Sequence, residues 1–246
     1  MQRALESVRV TVVGRSNVEA RRAPFGVELA AIPVRTRLVG AGEDLAALIA
    51  QAVQGIARAG DVVCVSETAV AIAQGRMIAA ETIRPSPLAY FLSRRAGALA
   101  TVNQPESLQL VIDQAGAGRV LLASCAHVLG RLASRRGAFY RILGETIATI
   151  DGYTGTLPPF DRTIVLGPFD PDGVAERIAA RIGAGAAVVD VNDLGVAKVL
   201  GASRGVVRER VRDALLSNPH GNGDEQTPLV VLSWRGDGAS PLRTAA

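Results

Sequence analysis

The chain has 246 residues and a net charge of +4, with 48% hydrophobic and only 4% aromatic residues, so it can bury a substantial core of Ala, Val, Leu and Ile. It lacks an apolar run of the roughly 18 residues that a membrane span needs, and its first residues lack the apolar segment of a signal peptide. These features predict a cytoplasmic protein that does not enter a membrane.

Arginine supplies almost all of the basic charge, because Lys198 is the only lysine. The arginines are spread along the chain, and adjacent pairs such as Arg94-Arg95 and Arg135-Arg136 have no aromatic residue directly beside them. Nucleic-acid binding is therefore not predicted. A lysine-containing phosphate loop is absent, and so is a His-Glu-x-x-His zinc motif. Any metal is expected to be held by oxygen ligands.

Hydrophobic patterns predict strands and helices that are mixed without strict alternation. Strands are expected at 8–13, 27–39 around Pro33, 62–66, 119–124, 146–150, 186–192, 198–201 and 229–233. Helices are expected at 45–57, 67–73, 85–95, 105–115, 127–143 with a break at Gly137, 173–182 capped by Asp170, and 206–217. This mixture predicts an α+β fold with mixed sheets and flanking helices.

The domain organisation follows from loop composition. We expect one domain over residues 1–235, with a subdomain break near 155–165 in a proline-rich loop, and a flexible tail over 236–246. Cys64 and Cys125 each lie in an apolar, strand-like run. Both are therefore expected to be buried thiols rather than disulfide or catalytic residues.

The run of residues 186–195, Ala-Ala-Val-Val-Asp-Val-Asn-Asp-Leu-Gly, predicts a buried strand that ends in oxygen ligands. Side chains alternate along a strand, so Asp190 and Asn192 share one face. Two further oxygen-rich turns occur, at Asp151-Gly152 and over residues 222–228. Together the three turns could supply the hard oxygen donors of a divalent metal. The alternative is that these acids and glycines are ordinary turn residues.

A rival motif lies at residues 201–205, where Gly-Ala-Ser-Arg-Gly matches the Gly-x-Ser-x-Gly pattern of serine hydrolases and is followed by Asp213 and His220. However, His220 follows Ser203 too closely for the intervening strand–helix units of that fold, and no His-Gly-Gly-Gly segment is present. An N-cap role for Ser203 explains the same residues more simply.

The motifs, taken in order, resemble a known family. They are Ile-Pro-Val-Arg at 32–35, Gly-Glu-Asp-Leu at 42–45, Val-Ser-Glu-Thr at 65–68, Val-Ala-Ile-Ala-Gln-Gly-Arg at 70–76, Ile-Asp at 150–151, Asp-Pro-Asp at 170–172, Asn-Asp-Leu-Gly at 192–195, Gly-Asn at 221–222 and Pro-Leu-Val-Val at 228–231. This series resembles the gamma-glutamyl ligases that add L-glutamate to coenzyme F420, and especially their shorter bacterial relatives.

The resemblance implies a GTP-dependent ligase that binds two divalent ions, Mg²⁺ or Mn²⁺, and forms an intertwined homodimer. Its implied chemistry is formation of an acyl phosphate on a small-molecule acid, followed by attack of the glutamate amine. By position, Asp151 and Asn192 would hold one metal, and Asp193 and Asn222 the other. The implied nucleotide-binding residues are Pro33, Val34, Arg35, Glu67, Thr68, Thr154, Gly221, Gly223 and Gln226.

The chain departs from the family at several positions. The family motif Val-Ser-Lys-Ala-Glu-Gly-Arg has Ile72 at its lysine and Gln74 at its glutamate here, and the family's Ser-Asp-Thr-Phe-Gly-Arg becomes Val-Asn-Asp-Leu-Gly-Val at 191–196. Two alternatives therefore stand beside the ligase: a non-catalytic member that binds nucleotide and metal, and a metal-dependent phosphohydrolase. The sequence does not choose between GTP and ATP or identify the acid.

Overall fold

The computed structural model describes residues 10–12, 28–96, 101–132, 138–144, 158–192, 195–221 and 225–235. The chain divides into two compact units, one of residues 1–75 with 168–246 and one of residues 76–167. The single domain expected over 1–235 stays a prediction, and the expected tail over 236–246 lies outside the described residues. In the ranges given above, no helix is both long and apolar enough to cross a membrane.

The described residues form strands and helices in a mixed order, which confirms the predicted α+β class. The strands are β1 (Val10–Val12), β2 (Glu28–Val34), β3 (Val62–Ser66), β4 (Met77–Ala79), β5 (Thr163–Val165), β6 (Gly185–Asn192), β7 (Val196–Ala202) and β8 (Leu229–Arg235). The helices are α1 (Leu45–Ala52), α2 (Glu67–Ala73), α3 (Pro87–Ser93), α4 (Pro105–Ala115), α5 (Ala117–Leu132), α6 (Ala138–Leu143), α7 (Pro171–Ile182) and α8 (Arg208–Leu215).

The first unit is built on a six-stranded mixed sheet in the order β1-β2-β8-β3-β6-β7. Strand β3 runs parallel to β6 and antiparallel to β8, and β8 runs antiparallel to β2. Strand β3 reads Val-Val-Cys-Val-Ser, and its first four residues are buried. Such β-branched, apolar residues suit a central strand that is covered on both faces.

Helices cover both faces of this sheet. On one face, Cys64, Ala187 and Leu232 pack with Val211 and Leu215 of α8 in a single apolar cluster. On the other face α7 crosses β6 and β7, and it approaches so closely that a Cβ added at Gly201 would overlap the backbone of Pro171. Asp170 caps helix α7 as predicted, accepting a hydrogen bond from the Gly173 N–H at 3.1 Å, although the helix begins at Pro171 rather than at Gly173.

Pro33 lies inside β2, where it pairs with Val230 of β8. Strand β1 pairs with β2 only over Leu29–Ala31, so the described part of β1 ends before it would need a donor from Pro33. Among the described residues, no strand pairs with Pro33 on that side of β2, which is the kind of position where a residue without an N–H is tolerated.

The second unit contains the short antiparallel pair β4–β5 and helices α3 to α6. The sequence patterns did not indicate either of these strands, since each has only three residues. An apolar cluster of its own holds this unit together, and it includes Ala89, Leu108, Val111, Phe139 and Ile164. Each unit therefore has a separate core.

The strand predicted at 119–124 is wrong, because these residues are part of the 16-residue helix α5. Val120 and Ala123 are buried while Leu121 and Leu122 are exposed, so burial recurs every three residues, as in a helix, rather than every two. Cys125 is consequently an exposed helical residue, contrary to the prediction, whereas Cys64 is buried as expected.

Several helix ends also differ from the expected ones. Helix α1 stops at Ala52 rather than at Ala57, because the chain turns at Gly55 with a φ of 76°. Helix α3 begins at Pro87, with Ser86 as its N-cap, rather than at Pro85 as predicted. The strand expected at 146–150 lies outside the described residues.

Candidate functional site

Four strand ends of the first unit meet at one edge of the sheet. Because β3 and β6 are parallel neighbours, their carboxyl ends point the same way, and Ser66 pairs with Val189 while β6 continues to Asn192. The amino end of β8 and the carboxyl end of β2 lie at the same edge, since Leu229 pairs with both Val65 and Val34. We call this the carboxyl edge. Ligand sites of open α/β sheets commonly lie outside such an edge.

The segment 33–35, predicted to bind nucleotide, leaves β2 at the carboxyl edge and contacts the segment that precedes β8. The Nε of Arg35 donates to the Glu225 carbonyl at 2.9 Å, and the Thr36 N–H donates to the Gln226 carbonyl at 3.2 Å. Gln226 has a φ of 53°, which turns the chain back toward β8. Two predicted nucleotide segments, about 190 residues apart in sequence, are therefore adjacent in the fold.

Glu67 and Thr68 open helix α2 directly after β3, at the same edge. Glu67 is only 6% exposed, although carboxylates are rarely buried without specific interactions. The residue just before it, Ser66, donates its N–H to the Pro228 carbonyl at 2.9 Å. This hydrogen bond joins the start of α2 to the segment that enters β8, so the third predicted nucleotide segment lies beside the other two.

The hairpin of β6 and β7 brings its polar residues to one face of the sheet at this edge. Asp190 pairs with Lys198 and Asn192 pairs with Val196 in the strand register. The Lys198 ammonium donates to Asp190 Oδ2 at 3.2 Å, and Asn192 Oδ1 accepts from the Val196 N–H at 3.3 Å. Asp190 and Asn192 share a face, as the alternation of the sequence predicted.

Segment 220–227 is closed by two hydrogen bonds between its first and last residues. His220 Nδ1 lies 3.0 Å from the Thr227 carbonyl, and Thr227 Oγ1 donates to the His220 carbonyl. A carbonyl only accepts, so Nδ1 carries the proton. Burial lowers the pKa of His220 to about 4, against the smaller opposing effect of this hydrogen bond. The imidazole is thus neutral at pH 7.

Gly221, which follows, requires its lack of a side chain. Its φ is 75°, and a Cβ there would lie 2.9 Å from the carboxyl carbon of Glu225. At this predicted nucleotide-binding residue, the backbone therefore turns and the Glu225 side chain lies close to it. The positive φ is the stronger reason for glycine, because the Glu225 carboxyl group ends a flexible side chain that can move aside.

The remaining predicted residues are Asp151, Thr154, Asp193, Asn222 and Gly223, and they lie outside the described residues. Among the residues that the structure describes, no group of three or more His, Cys, Asp or Glu side chains is arranged to hold a metal ion. The donors at the carboxyl edge are carboxylate and amide oxygens of Glu67, Asp190 and Asn192, which are the ligand types that Mg²⁺ and Mn²⁺ prefer.

Helix α2 has lost the charged positions that its family motif would provide. Ile72 is only 7% exposed and belongs to the apolar side of the helix. The side-chain amide of Gln74 makes two hydrogen bonds with the backbone of Phe169. It donates to the carbonyl and accepts from the N–H, each at 2.7 Å. Neither side chain brings a charge to the carboxyl edge.

Ser203 is not an exposed nucleophile, and it is not a helix N-cap either. It is only 5% exposed, and its Oγ accepts from the Ala186 N–H at 3.0 Å while its own N–H donates to the Ala186 carbonyl. Helix α8 begins five residues later, at Arg208. The predicted N-cap role is therefore wrong, because Ser203 extends the pairing of β7 with the start of β6.

Sequence reasoning missed two features of the edge: the Asp190–Lys198 pair and the His220–Thr227 closure. The first had a usable signal, since a sole lysine follows Asp190 across a turn that contains Gly195. The second had none, because a His and a Thr seven residues apart are paired only by the fold.

These elements form an α+β protein whose sheet brings the strand ends and turns of a candidate ligand site to one edge. The family model described as "F420-0:Gamma-glutamyl ligase" matches residues 33–193 of the chain. The chain belongs to this gamma-glutamyl ligase family, which confirms the resemblance. The matched range includes β3, α2 and β6, the elements that form the centre of the carboxyl edge.

A curated relative is similar over part of its length. The coenzyme F420:L-glutamate ligase of Methanothermobacter thermautotrophicus is 29% identical over 144 residues, which cover 57% of this chain and 50% of the relative. The chain thus spans about half the length of the curated relative that it matches.

Proposed function

We propose that this protein is a nucleotide- and divalent-metal-dependent ligase that joins L-glutamate to a small-molecule acid, with coenzyme F420-0 as the first acid to test. The observation that carries the proposal is the convergence of residues 33–35, Glu67-Thr68 and Gln226 at the carboxyl edge, beside Asn192. Family membership and the name of the relative supply the reaction class.

The proposed reaction has two steps. A carboxylate oxygen of the acid attacks the γ-phosphorus of GTP, and GDP leaves with the electrons of the broken bond. The glutamate amine then attacks the acyl phosphate, loses a proton, and displaces inorganic phosphate. A divalent ion supplies charge neutralisation on the phosphates in such transfers. Here the protein's own contribution is to fix the nucleotide segments to one another through backbone hydrogen bonds.

The proposed ligands of Mg²⁺ or Mn²⁺ are Asp151, Asn192, Asp193 and Asn222. Of these, the structure describes Asn192, and its Oδ1 is held by the Val196 N–H at the end of β6. An amide oxygen that is already oriented by a hydrogen bond is a suitable ligand for a hard cation. The proposed nucleotide residues Thr154, Gly221 and Gly223 complete the set taken from the family.

Binding and turnover test this function separately. Titration calorimetry with GTP and MnCl₂ should show metal-dependent binding, and Asp193→Ala should weaken it at least about tenfold. Asp213→Ala is the matched control, because this exposed carboxylate lies on α8, where it is paired with Arg212. Phosphate release that requires both L-glutamate and coenzyme F420-0, with the glutamyl product seen by mass spectrometry, would establish the ligase.

A second candidate is a member of the fold that binds nucleotide without turnover. It is favoured by the buried Ile72 and by Gln74, whose amide is occupied by Phe169, because these positions contribute no charge. Metal-dependent GTP binding without phosphate release, under any combination of glutamate and acid, would support it. Phosphate release that does not depend on glutamate would instead indicate the phosphohydrolase.

We further propose that the protein is a homodimer, as the family resemblance implies. Light scattering after size-exclusion chromatography should give twice the chain mass of 25.6 kDa. A mass of one chain across a hundredfold range of concentration would reject the dimer without affecting the proposed chemistry.

A further inference from the structure

Lys198 is the only lysine in the sequence, so it carries the only side-chain ammonium group. Arginine supplies the other fixed positive charges on side chains. It lies on β7, directly across from Asp190, and its side chain is 52% exposed while that of Asp190 is 27% exposed. An exposed cross-strand ion pair contributes little to stability, typically less than about 1 kcal/mol. The position of the ion pair in the fold is more informative than its contribution to stability.

The pair occupies the polar face of the hairpin. On the opposite face, Val189 and Ala197 belong to the apolar cluster that packs with α8. Because side chains alternate, Lys198, Asp190 and Asn192 all project from the other side of the sheet. Closer to the middle of the strands this side is covered by α7, which approaches Gly201. The pair lies between that covered region and the carboxyl edge.

Measured along the strand direction, the edge is within the reach of a lysine, while sideways β7 lies two strands, about 10 Å, from β3. Lys198 is two residues from Val196, where β7 begins, and two strand residues span about 7 Å. The flexible four-carbon stem of lysine can carry its ammonium over much of that distance. The α2 segment, Glu-Thr-Ala-Val-Ala-Ile-Ala, offers no basic residue to the same edge.

We propose that Lys198 is a phosphate-binding cation of the carboxyl edge, and that Asp190 holds its ammonium in position when no nucleotide is bound. This proposal rests on the proposed nucleotide-binding function. The ligand is the polyphosphate chain of the nucleotide, since a compact ammonium with three donors binds phosphate oxygens as a point charge. Asp190 is a positioning residue, because it acts through Lys198.

The sole lysine makes a direct chemical test available. Acetylation with an N-hydroxysuccinimide ester, mapped by peptide mass spectrometry, reports on Lys198, and the N-terminal amine serves as the internal standard. GTP with MnCl₂ should slow Lys198 acetylation at least about fivefold, and inorganic triphosphate with MnCl₂ should also protect it. Unchanged acetylation at GTP concentrations that calorimetry shows to be saturating would overturn the proposal, as would protection by guanosine alone.

Variants separate binding from folding. Lys198→Met should weaken GTP binding about tenfold, in keeping with the loss of one charge-assisted hydrogen bond, while Lys198→Arg should retain most of the affinity. Arg212→Met, which removes an exposed cation paired with Asp213 on α8, should bind GTP like the wild type. Thermal unfolding of all three variants checks that they are folded.

The two proposals fail in different ways. If wild-type protein binds GTP and Lys198→Met binds it equally well, the role of Lys198 is rejected and the proposed function stands. If the wild-type protein binds neither GTP nor inorganic triphosphate in the presence of MnCl₂, both are rejected.

Discussion

Gln74 and Phe169 are joined by a two-point hydrogen bond, although 95 residues separate them in sequence. The Gln74 amide donates to the Phe169 carbonyl and accepts from the Phe169 N–H, both at 2.7 Å. An amide can do both, whereas a carboxylate has no proton to donate. The chain turns at Gly75, with a φ of 68°, directly after this pair, and the link fixes the end of α2 to the segment that leads into α7.

Replacing Gln74 with Glu should destabilise the first unit at neutral pH. One hydrogen bond is lost, and the new carboxylate faces the Phe169 carbonyl, so we expect a loss of about 1 kcal/mol in unfolding free energy at pH 7. The loss should shrink near pH 4, where a protonated carboxyl group can donate again. Urea unfolding at both pH values measures it. Gln54→Glu, at an exposed position after α1, is the matched control; an equal effect of the two changes would contradict the role of the pair.

His220 should make the folded state sensitive to acid. Its folded pKa of about 4 lies below its ordinary value of 6.5, so between these values the unfolded chain takes up a proton that the native imidazole does not. Stability from the neutral imidazole is therefore present above pH 6.5 and is lost as the pH falls toward 4. The slope is at most about 1.4 kcal/mol per pH unit.

Unfolding free energies from urea titrations between pH 7.5 and 4.5 measure this effect. His220→Gln should show a shallower decline than wild type, because glutamine can still donate to the Thr227 carbonyl but does not titrate. His127→Gln removes the other histidine and keeps the His220–Thr227 closure, so it should follow the wild-type curve. Parallel curves for wild type and His220→Gln would exclude the proposed linkage.

Gly201 and Gly118 should respond in opposite directions to replacement by alanine. A methyl group at Gly201 would overlap the backbone of Pro171 at the start of α7, which cannot move as a side chain can. We expect Gly201→Ala to cost about 2 kcal/mol or more. Nothing lies within 4 Å of a Cβ at Gly118, in the exposed first turn of α5, so Gly118→Ala should stabilise by about 0.5–1 kcal/mol. Thermal unfolding compares them, and destabilisation by Gly118→Ala would show that α5 packs differently.

The two cysteines should differ sharply in reactivity. Burial raises the pKa of the Cys64 thiol well above its ordinary value, and this side chain is buried on β3. Cys125, in contrast, is exposed on α5. Native protein should incorporate one equivalent of a maleimide rapidly at pH 7.5, and two after unfolding in urea. Cys125→Ala should remove the rapid phase and Cys64→Ala should keep it. Rapid modification of Cys64 in the native protein would be inconsistent with the buried β3.

The sequence by itself determined those elements whose signal is local. The central strands β3, β6 and β8 were predicted because runs of buried β-branched residues are uninterrupted there, and α4 and α7 because proline or Asp at their first turn marks their start. Local signals failed where an apolar run was short. Val120 to Ala123 suits a strand or a buried helix equally, and only packing against α4 and α6 makes it part of α5.

Only the tertiary structure decided which of these elements meet. Residues 33–35, 67–68, 192 and 226 are spread over most of the chain, and no local pattern links them. The register that pairs Leu229 with both Val34 and Val65, and Ser66 with Val189, brings them to one edge. Strand pairing is a non-local interaction whose register depends on the burial of whole faces. The sequence therefore indicated a candidate role for each segment, and only the sheet brought the segments to one edge.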